Sequence, residues 1–348
     1  MKILADFHHD SLWWALHLLF EKRLGWELYR PYGVEWFDQE YFKLYGHFAM
    51  KEPYRFLAKL YLKDIVFTQD GENGYGLETR MGCIDYPKFK LVTLKKAKEM
   101  DFDIIICTIN ENEKYFYKFA KEFCPKAKLI RITGNMNDKV DHELYPNLMA
   151  SDISSYKMYQ GEHKVLFRQE FDLNLFKYSP PTNTHNLYSF LNGLRAEETE
   201  PGVFGTWFKL LHLLPEFKFR SYGGKCENGR IFGKRKLIER MSEASFLYHV
   251  KRIDGYGHTI HNAFALGRPV ITCFEYYRDK IAEPLLVDGE TAIFTDGRSS
   301  RQIAEIVRSK ANIEELTRMS ENCRKKFEEN VKFDYEFMRI QKFLEELR

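Results

Sequence analysis

The chain lacks any uninterrupted apolar run approaching the roughly 20 residues that a membrane-spanning helix requires. Its opening, Met1-Lys2-Ile3-Leu4-Ala5-Asp6, has neither the charged region nor the apolar stretch of a secretory signal. Cysteine is sparse, with six residues at 83, 107, 124, 226, 273 and 323 and no C-x-x-C pair. That pattern argues against a disulfide framework or a zinc site and suits reduced thiols. These absences lead to the expectation of a soluble, cytoplasmic protein, with surface association with a membrane still open. Charge of one sign is also lacking: 53 basic against 50 acidic side chains leave +3, too little to imply a polyanionic partner on its own. No internal repeat is present, which sets aside solenoids and propellers.

What the sequence has is length and pattern. Its 348 residues exceed what one hydrophobic core usually serves, so two domains are expected. The chain is 44% hydrophobic and 30% charged, as a folded globular protein is, and rich in aromatics, with 29 Phe and 21 Tyr. Lys2 to Ala5 reads as a strand, followed by the polar loop Asp6-Phe7-His8-His9-Asp10 and a helix that Asp10 or Ser11 can cap. Residues 32–80 mix aromatic and charged side chains with glycine turns and resist assignment. Beyond them a helix over 93–100 precedes Asp103-Ile104-Ile105-Ile106-Cys107, a continuous apolar run of the kind buried on both faces of a parallel sheet. Lys128 to Ile132 is a further strand. The proline-rich stretch Ser179-Pro180-Pro181-Thr182-Asn183 is the linker candidate, and a second alternation of strands and helices follows it. The expected architecture is two Rossmann-like, doubly wound α/β domains facing a cleft: 1–180, 181–330, and a terminal helix over 331–348 that crosses back to the first domain.

Residues 246–271 carry the chemistry. They read as a buried strand, the turn Asp254-Gly255-Tyr256-Gly257-His258-Thr259, a helix, and a second buried strand. Gly255 and Gly257 let a ligand approach the backbone, and the helix start offers free amides and a positive dipole end, which suit a diphosphate. Lys251 and Arg252 add charge beside it. Asp101-Phe102-Asp103 has the letters of a metal-binding D-x-D, but Asp103 leads straight into a buried strand, so no metal site is expected there.

In this stretch, D-G-Y-G-H-T-I-H-N-A-F-A-L-G-R-P-V-I, the chain resembles the retaining GT-B glycosyltransferases of the glycogen synthase and sucrose-phosphate synthase group, whose signature is E-G-F-G-x-x-x-x-E-A-x-A-x-G-x-P-V-I. Val287-Asp288-Gly289-Glu290-Thr291-Ala292 is similar to that group's D-G-E-T-G turn, so the resemblance covers about residues 187–310. It implies a metal-independent sugar transfer from a nucleotide-sugar such as a UDP- or GDP-sugar, with retention and without a separate cofactor. It places Asp254 on the donor sugar hydroxyls, Asn262 on the nucleotide ribose, and Gly255, Tyr256, Gly257, His258 and Thr259 around the diphosphate and sugar. Arg195 is the candidate for the group's arginine, and Lys251 a further donor contact. Asp254 is shorter than the group's first glutamate, and Asn262 lacks the charge of its second. His8 and His9, on the first loop of the first domain, are candidates for contact with the transferred sugar or acceptor. The acceptor stays open between glycan, lipid-linked, protein and, as a separate alternative, a hydroxymethylated base in DNA. A silent nucleotide-sugar-binding protein or a GT-B epimerase are the other readings.

Overall fold

A computed structural model describes residues 1–6, 10–31, 34–37, 65–68, 89–134, 138–194, 203–231 and 234–347. The chain divides into two compact units, Met1–Phe171 with Phe333–Arg348, and Asp172–Lys332.

The first unit is built on strands β1 (Lys2–Ala5), β2 (Glu27–Pro31), β3 (Ile65–Thr68), β4 (Phe89–Val92), β5 (Ile104–Cys107), β6 (Lys128–Ile132), β7 (Asn147–Ala150) and β8 (His163–Leu166). Their order in the sheet is β3-β4-β2-β1-β5-β6-β7-β8, parallel throughout except for the antiparallel pair of β3 with β4 at the edge. The all-apolar β5 is buried along its whole length between β1 and β6, as a strand covered by helices on both faces must be. The chain winds outward from β1 through β2 to β4, then returns to β5 on the other side of β1. The topological switch point therefore lies at the carboxyl ends of β1 and β5. The helix Asp10–Leu16 leaves that edge and passes into π-helical turns over His17–Arg23, where Leu24 N donates to Leu19 O at 3.2 Å, five residues back. The terminal helix Phe333–Glu346 belongs to this unit. The rings of Phe333 and Phe171 meet edge to face at 5.4 Å, and Asp334 pairs with Arg23 at 2.9 Å.

The switch point of this unit holds a buried ionic network that local sequence patterns do not announce. Asp6, fully buried, accepts from Thr108 N at 2.5 Å and from Asn112 Nδ2 at 2.7 Å. Burial raises its carboxyl above the ordinary aspartate value, and the bonds from Asn112 and Thr108 and the charge of Arg131 offset this only in part. Arg131, equally buried on β6, donates to Glu113 Oε1 at 2.6 Å, to Cys107 O at 3.0 Å, and to Ile132 O and Asn110 Oδ1. The guanidinium thus ties the ends of β5 and β6 to the start of the helix Glu113–Phe123. Asp101 and Asp103 stand at the opposite, amino edge of the sheet. Asp103 is exposed and accepts from Lys2 N at 2.7 Å, while the strand after it is buried.

The second unit carries β9 (Asn186–Ser189), β10 (Lys218–Ser221), β11 (Phe246–Tyr248), β12 (Val270–Thr272) and β13 (Ala292–Phe294), all parallel, in the order β10-β9-β11-β12-β13. One face of this sheet packs Leu187, Phe246, Tyr248 and Ile271 against Trp207 and Leu210 of the helix Val203–Leu213 and Val307 of the helix Ser300–Lys310. Fully burying each such side chain contributes on the order of 2 kcal/mol. Ser299 and Gln302 close a reciprocal capping box at the start of Ser300–Lys310. Arg268, also buried, has carbonyl partners in Ser179, Ser242 and Leu266, so it holds the proline-rich segment around Ser179 against this unit. Burial without a carboxylate partner lowers its pKa to about 10. Among the described residues, no helix is long and apolar enough to cross a membrane.

Candidate functional site

In the second unit the chain runs from β9 outward to β10 and then crosses back to β11, so the switch point falls between the carboxyl ends of β9 and β11. Open α/β sheets bind ligands in the crevice at this place. The segment that leaves β11 there is His249 to Gly257, which contains the turn singled out in the sequence. Gly257 has φ +80°, and the helix His258–Ala265 begins directly after it. Gly257 O accepts from Ile260 N and His261 N, at 3.0 and 3.1 Å. The amides that precede them in the first turn have no intrahelical acceptor, and they form the positive end of the helix dipole.

Glycine is required at 257 on two counts. Its φ is one that side chains rarely adopt, and an added Cβ would stand 3.2 Å from Ala282 Cβ and 3.9 Å from Asp254 Oδ2. Gly257→Ala is expected to lower stability by about 1–2 kcal/mol, read as a lower denaturant midpoint. An unchanged midpoint would show that the turn does not need this backbone conformation.

Asp254 is the centre of the site. The residue is 8% exposed, and its carboxylate takes three donors: Tyr277 OH at 2.9 Å and His249 Nε2 at 3.1 Å on Oδ2, and Lys251 Nζ at 3.2 Å on Oδ1. Burial by itself raises its pKa, but the charge of Lys251 and the bonds from His249 and Tyr277 outweigh burial and hold the group well below the ordinary aspartate range. Asp254 is a buried, ionised acceptor at neutral pH.

The other sequence candidates take distinct places. Gly255 is buried within the turn, and His258 and Thr259 open the helix half-buried. Tyr256 has its ring buried, stacked on His261 at 4.2 Å and edge-on to His258 at 4.7 Å. The Tyr256 ring therefore shapes the helix start from inside. His261 Nδ1 lies 3.0 Å from Gly257 O, a local bond within the helix. Asn262 is buried one turn into the same helix. Arg195, His8 and His9 lie outside the described residues. In the D-G-E-T segment, Asp288 accepts from Phe294 N at 2.9 Å and pairs with both terminal nitrogens of Arg298, while Thr291 Oγ1 donates to Leu285 O. These bonds fix the turn that leads into β13.

Three residues of the site are absent from the sequence reading. His249 is hidden in what reads as the end of a buried strand. Tyr277 and Lys280 stand more than 20 residues downstream of the turn and belong to no local motif. Lys280 is buried, its Nζ donates to Arg252 O at 3.1 Å, and it lies 4.9 Å from the centre of the Tyr277 ring. The segment after β12 thus backs the turn after β11 from Arg252 to Gly257.

No protein-family model matches the sequence, and no curated protein matches it. Solved structures match over nearly the whole chain. TarM aligns with 98% of this chain and 98% of its own at a TM-score of 0.63 and 9% identity. An S. aureus TarM mutant, in complex with Fondaparinux, alpha-GlcNAc-glycerol and UDP, matches at a TM-score of 0.61 and 9% identity over 98% of this chain and 99% of its own. Sucrose-phosphate synthase from Thermosynechococcus elongatus covers 99% of this chain and 98% of its own, with a TM-score of 0.63 and 10% identity. An alpha-glucosyltransferase in complex with UDP-glucose and DNA containing an abasic site covers 98% of each at 0.61 and 11% identity. At such identities the likeness establishes the fold. The chain has the two-sheet α/β fold of GT-B glycosyltransferases.

Proposed function

We propose that the chain is a glycosyltransferase that moves a sugar from a nucleotide-sugar to an acceptor hydroxyl, with retention and without a metal. The observation that carries this reading is the ionised Asp254 beside the Gly257 helix start at the switch point of the second sheet. A carboxylate reads sugar hydroxyls, and the helix amides with Lys251 stabilise charge that builds on a departing diphosphate. Two similar structures hold UDP or UDP-glucose, which favours a UDP-sugar as donor. Arg195 is proposed as a second cation on the diphosphate, with Asn262 on the nucleotide ribose and His8 or His9 on the transferred sugar or the acceptor. The DNA-bound alpha-glucosyltransferase favours one acceptor as a second reading, a hydroxymethylated base in duplex DNA.

The test is incubation of the full chain with UDP-glucose, UDP-GlcNAc, UDP-galactose and GDP-mannose, each alone and with glycan, lipid-linked, protein and hydroxymethylcytosine-duplex acceptors. Acceptor-dependent release of nucleotide is expected with at least one pair. Release with no pair would overturn the transferase. Conversion of a nucleotide-sugar with no acceptor present would assign an epimerase instead. Transfer to the duplex would further show the steep salt dependence of phosphate-backbone binding.

A further inference from the structure

The two oxygens of Asp254 are not equivalent. Oδ2 already accepts from Tyr277 OH and His249 Nε2, which fills both of its lone-pair directions. Both donors are buried, Tyr277 completely and His249 to 3% exposure, so neither can leave to make room for a ligand. Oδ1 accepts from one group, Lys251 Nζ, whose side chain is 39% exposed. That partner stands on the solvent side and can exchange.

His249 fits a fixed role. Its Nδ1 is buried and has no hydrogen-bond partner. The ring therefore carries its proton on Nε2, where Asp254 accepts it, since a bare buried nitrogen costs less than a buried N–H without an acceptor. Tyr277 is fixed in turn by Lys280, which lies over its ring and donates to Arg252 O. Ala282, two residues further, is the atom group nearest to Gly257 on the other side of the turn. The short segment 277–282 touches the turn at its beginning, its acid and its end.

We propose that Tyr277 and His249 are positioning residues that saturate Oδ2 of Asp254 and aim Oδ1 at one hydroxyl of the donor sugar. Lys251 is the partner that Oδ1 exchanges for that hydroxyl. This rests on the donor-site reading above. The shortened acid then reads the sugar through a single oxygen, and its precision depends on two side chains that touch no ligand.

Calorimetric titration of the wild-type chain with UDP, UDP-glucose, UDP-GlcNAc and UDP-galactose selects the tightest UDP-sugar, which is then compared with UDP on the variants. Tyr277→Phe keeps the ring and removes one O–H. It is expected to weaken the UDP-sugar about tenfold and to leave UDP within about twofold, the tenfold matching one charge-assisted hydrogen bond. His249→Leu is expected to do the same. His249→Gln, which keeps an N–H near the position of Nε2, is expected to restore the wild-type ratio. Equal weakening of UDP and UDP-sugar, or no change in either, would overturn the positioning role and leave the donor site standing. Failure of the wild type to bind any of the four would remove the donor site and this role with it.

Discussion

Asp254→Ala is expected to lower kcat/KM for donor transfer at least about a hundredfold, because an acid that contacts the sugar in the transition state supplies on the order of 3 kcal/mol. The same substitution leaves Tyr277 OH and His249 Nε2 buried without an acceptor, at a cost of about 1–3 kcal/mol each in folding stability. Activity and stability therefore fall together in the alanine variant. Asp254→Asn separates them. It keeps the volume and one acceptor oxygen, so its denaturant midpoint stays closer to wild type while its turnover drops as far. Wild-type turnover in a folded Asp254→Asn chain would remove the charge of Asp254 from the reaction, and wild-type turnover in the alanine variant would remove the residue.

Arg131→Met is expected to be the most damaging single change in the first unit. Arg131 has zero exposure, and its removal leaves Glu113, Asn110 Oδ1 and the carbonyls of Cys107 and Ile132 without their donor. Breaking one side of a buried ion pair costs about 3–5 kcal/mol, far more than the loss of an exposed pair. The measurement is a denaturant melt of Arg131→Met, Glu113→Gln and the double variant. A loss below about 1 kcal/mol in the single arginine variant would show that the network contributes little. A double variant close to the sum of the two singles would show that the pair is not coupled.

The sequence made the regular parts of both units readable for a simple reason. Parallel strands covered on both faces must be apolar along their length, so Ile104–Cys107 and Phe246–Tyr248 stand out as runs. The helix His258–Ala265 announces itself by the glycine before it. The helix Ile313–Asn330 does not, although Leu316, Met319, Ser320, Cys323 and Phe327 form a regular buried stripe. Nine of its other residues are charged, and a thin stripe in such a background carries little signal. The antiparallel edge strand β3 falls in the stretch where glycines and aromatics hide any period.

At the site, the turn was legible because its residues are adjacent in the chain. Its support was not. Tyr277 reaches Asp254 across 23 residues and Asp6 reaches Asn112 across 106, and no local spacing rule encodes contacts that parallel strand pairing brings together. The tyrosine of the turn offers a contrasting case. Tyr256 stands among residues that suit a ligand, yet its ring lies buried against two histidines. Sequence position gave its neighbourhood but not the direction of its side chain.

The assignment of Phe333–Glu346 to the first unit has a consequence for biosynthesis. The second unit, Asp172–Lys332, is an insertion between the body of the first and its closing helix. A ribosome delivers all of the second unit before it delivers Phe333, Asp334 and Ile340. The second unit can therefore reach its native state while the first still waits for its last element, although the first was begun earlier. Vectorial synthesis thus inverts the order of completion, and the nascent first unit must keep the apolar surface around Phe171 uncovered until the final helix arrives.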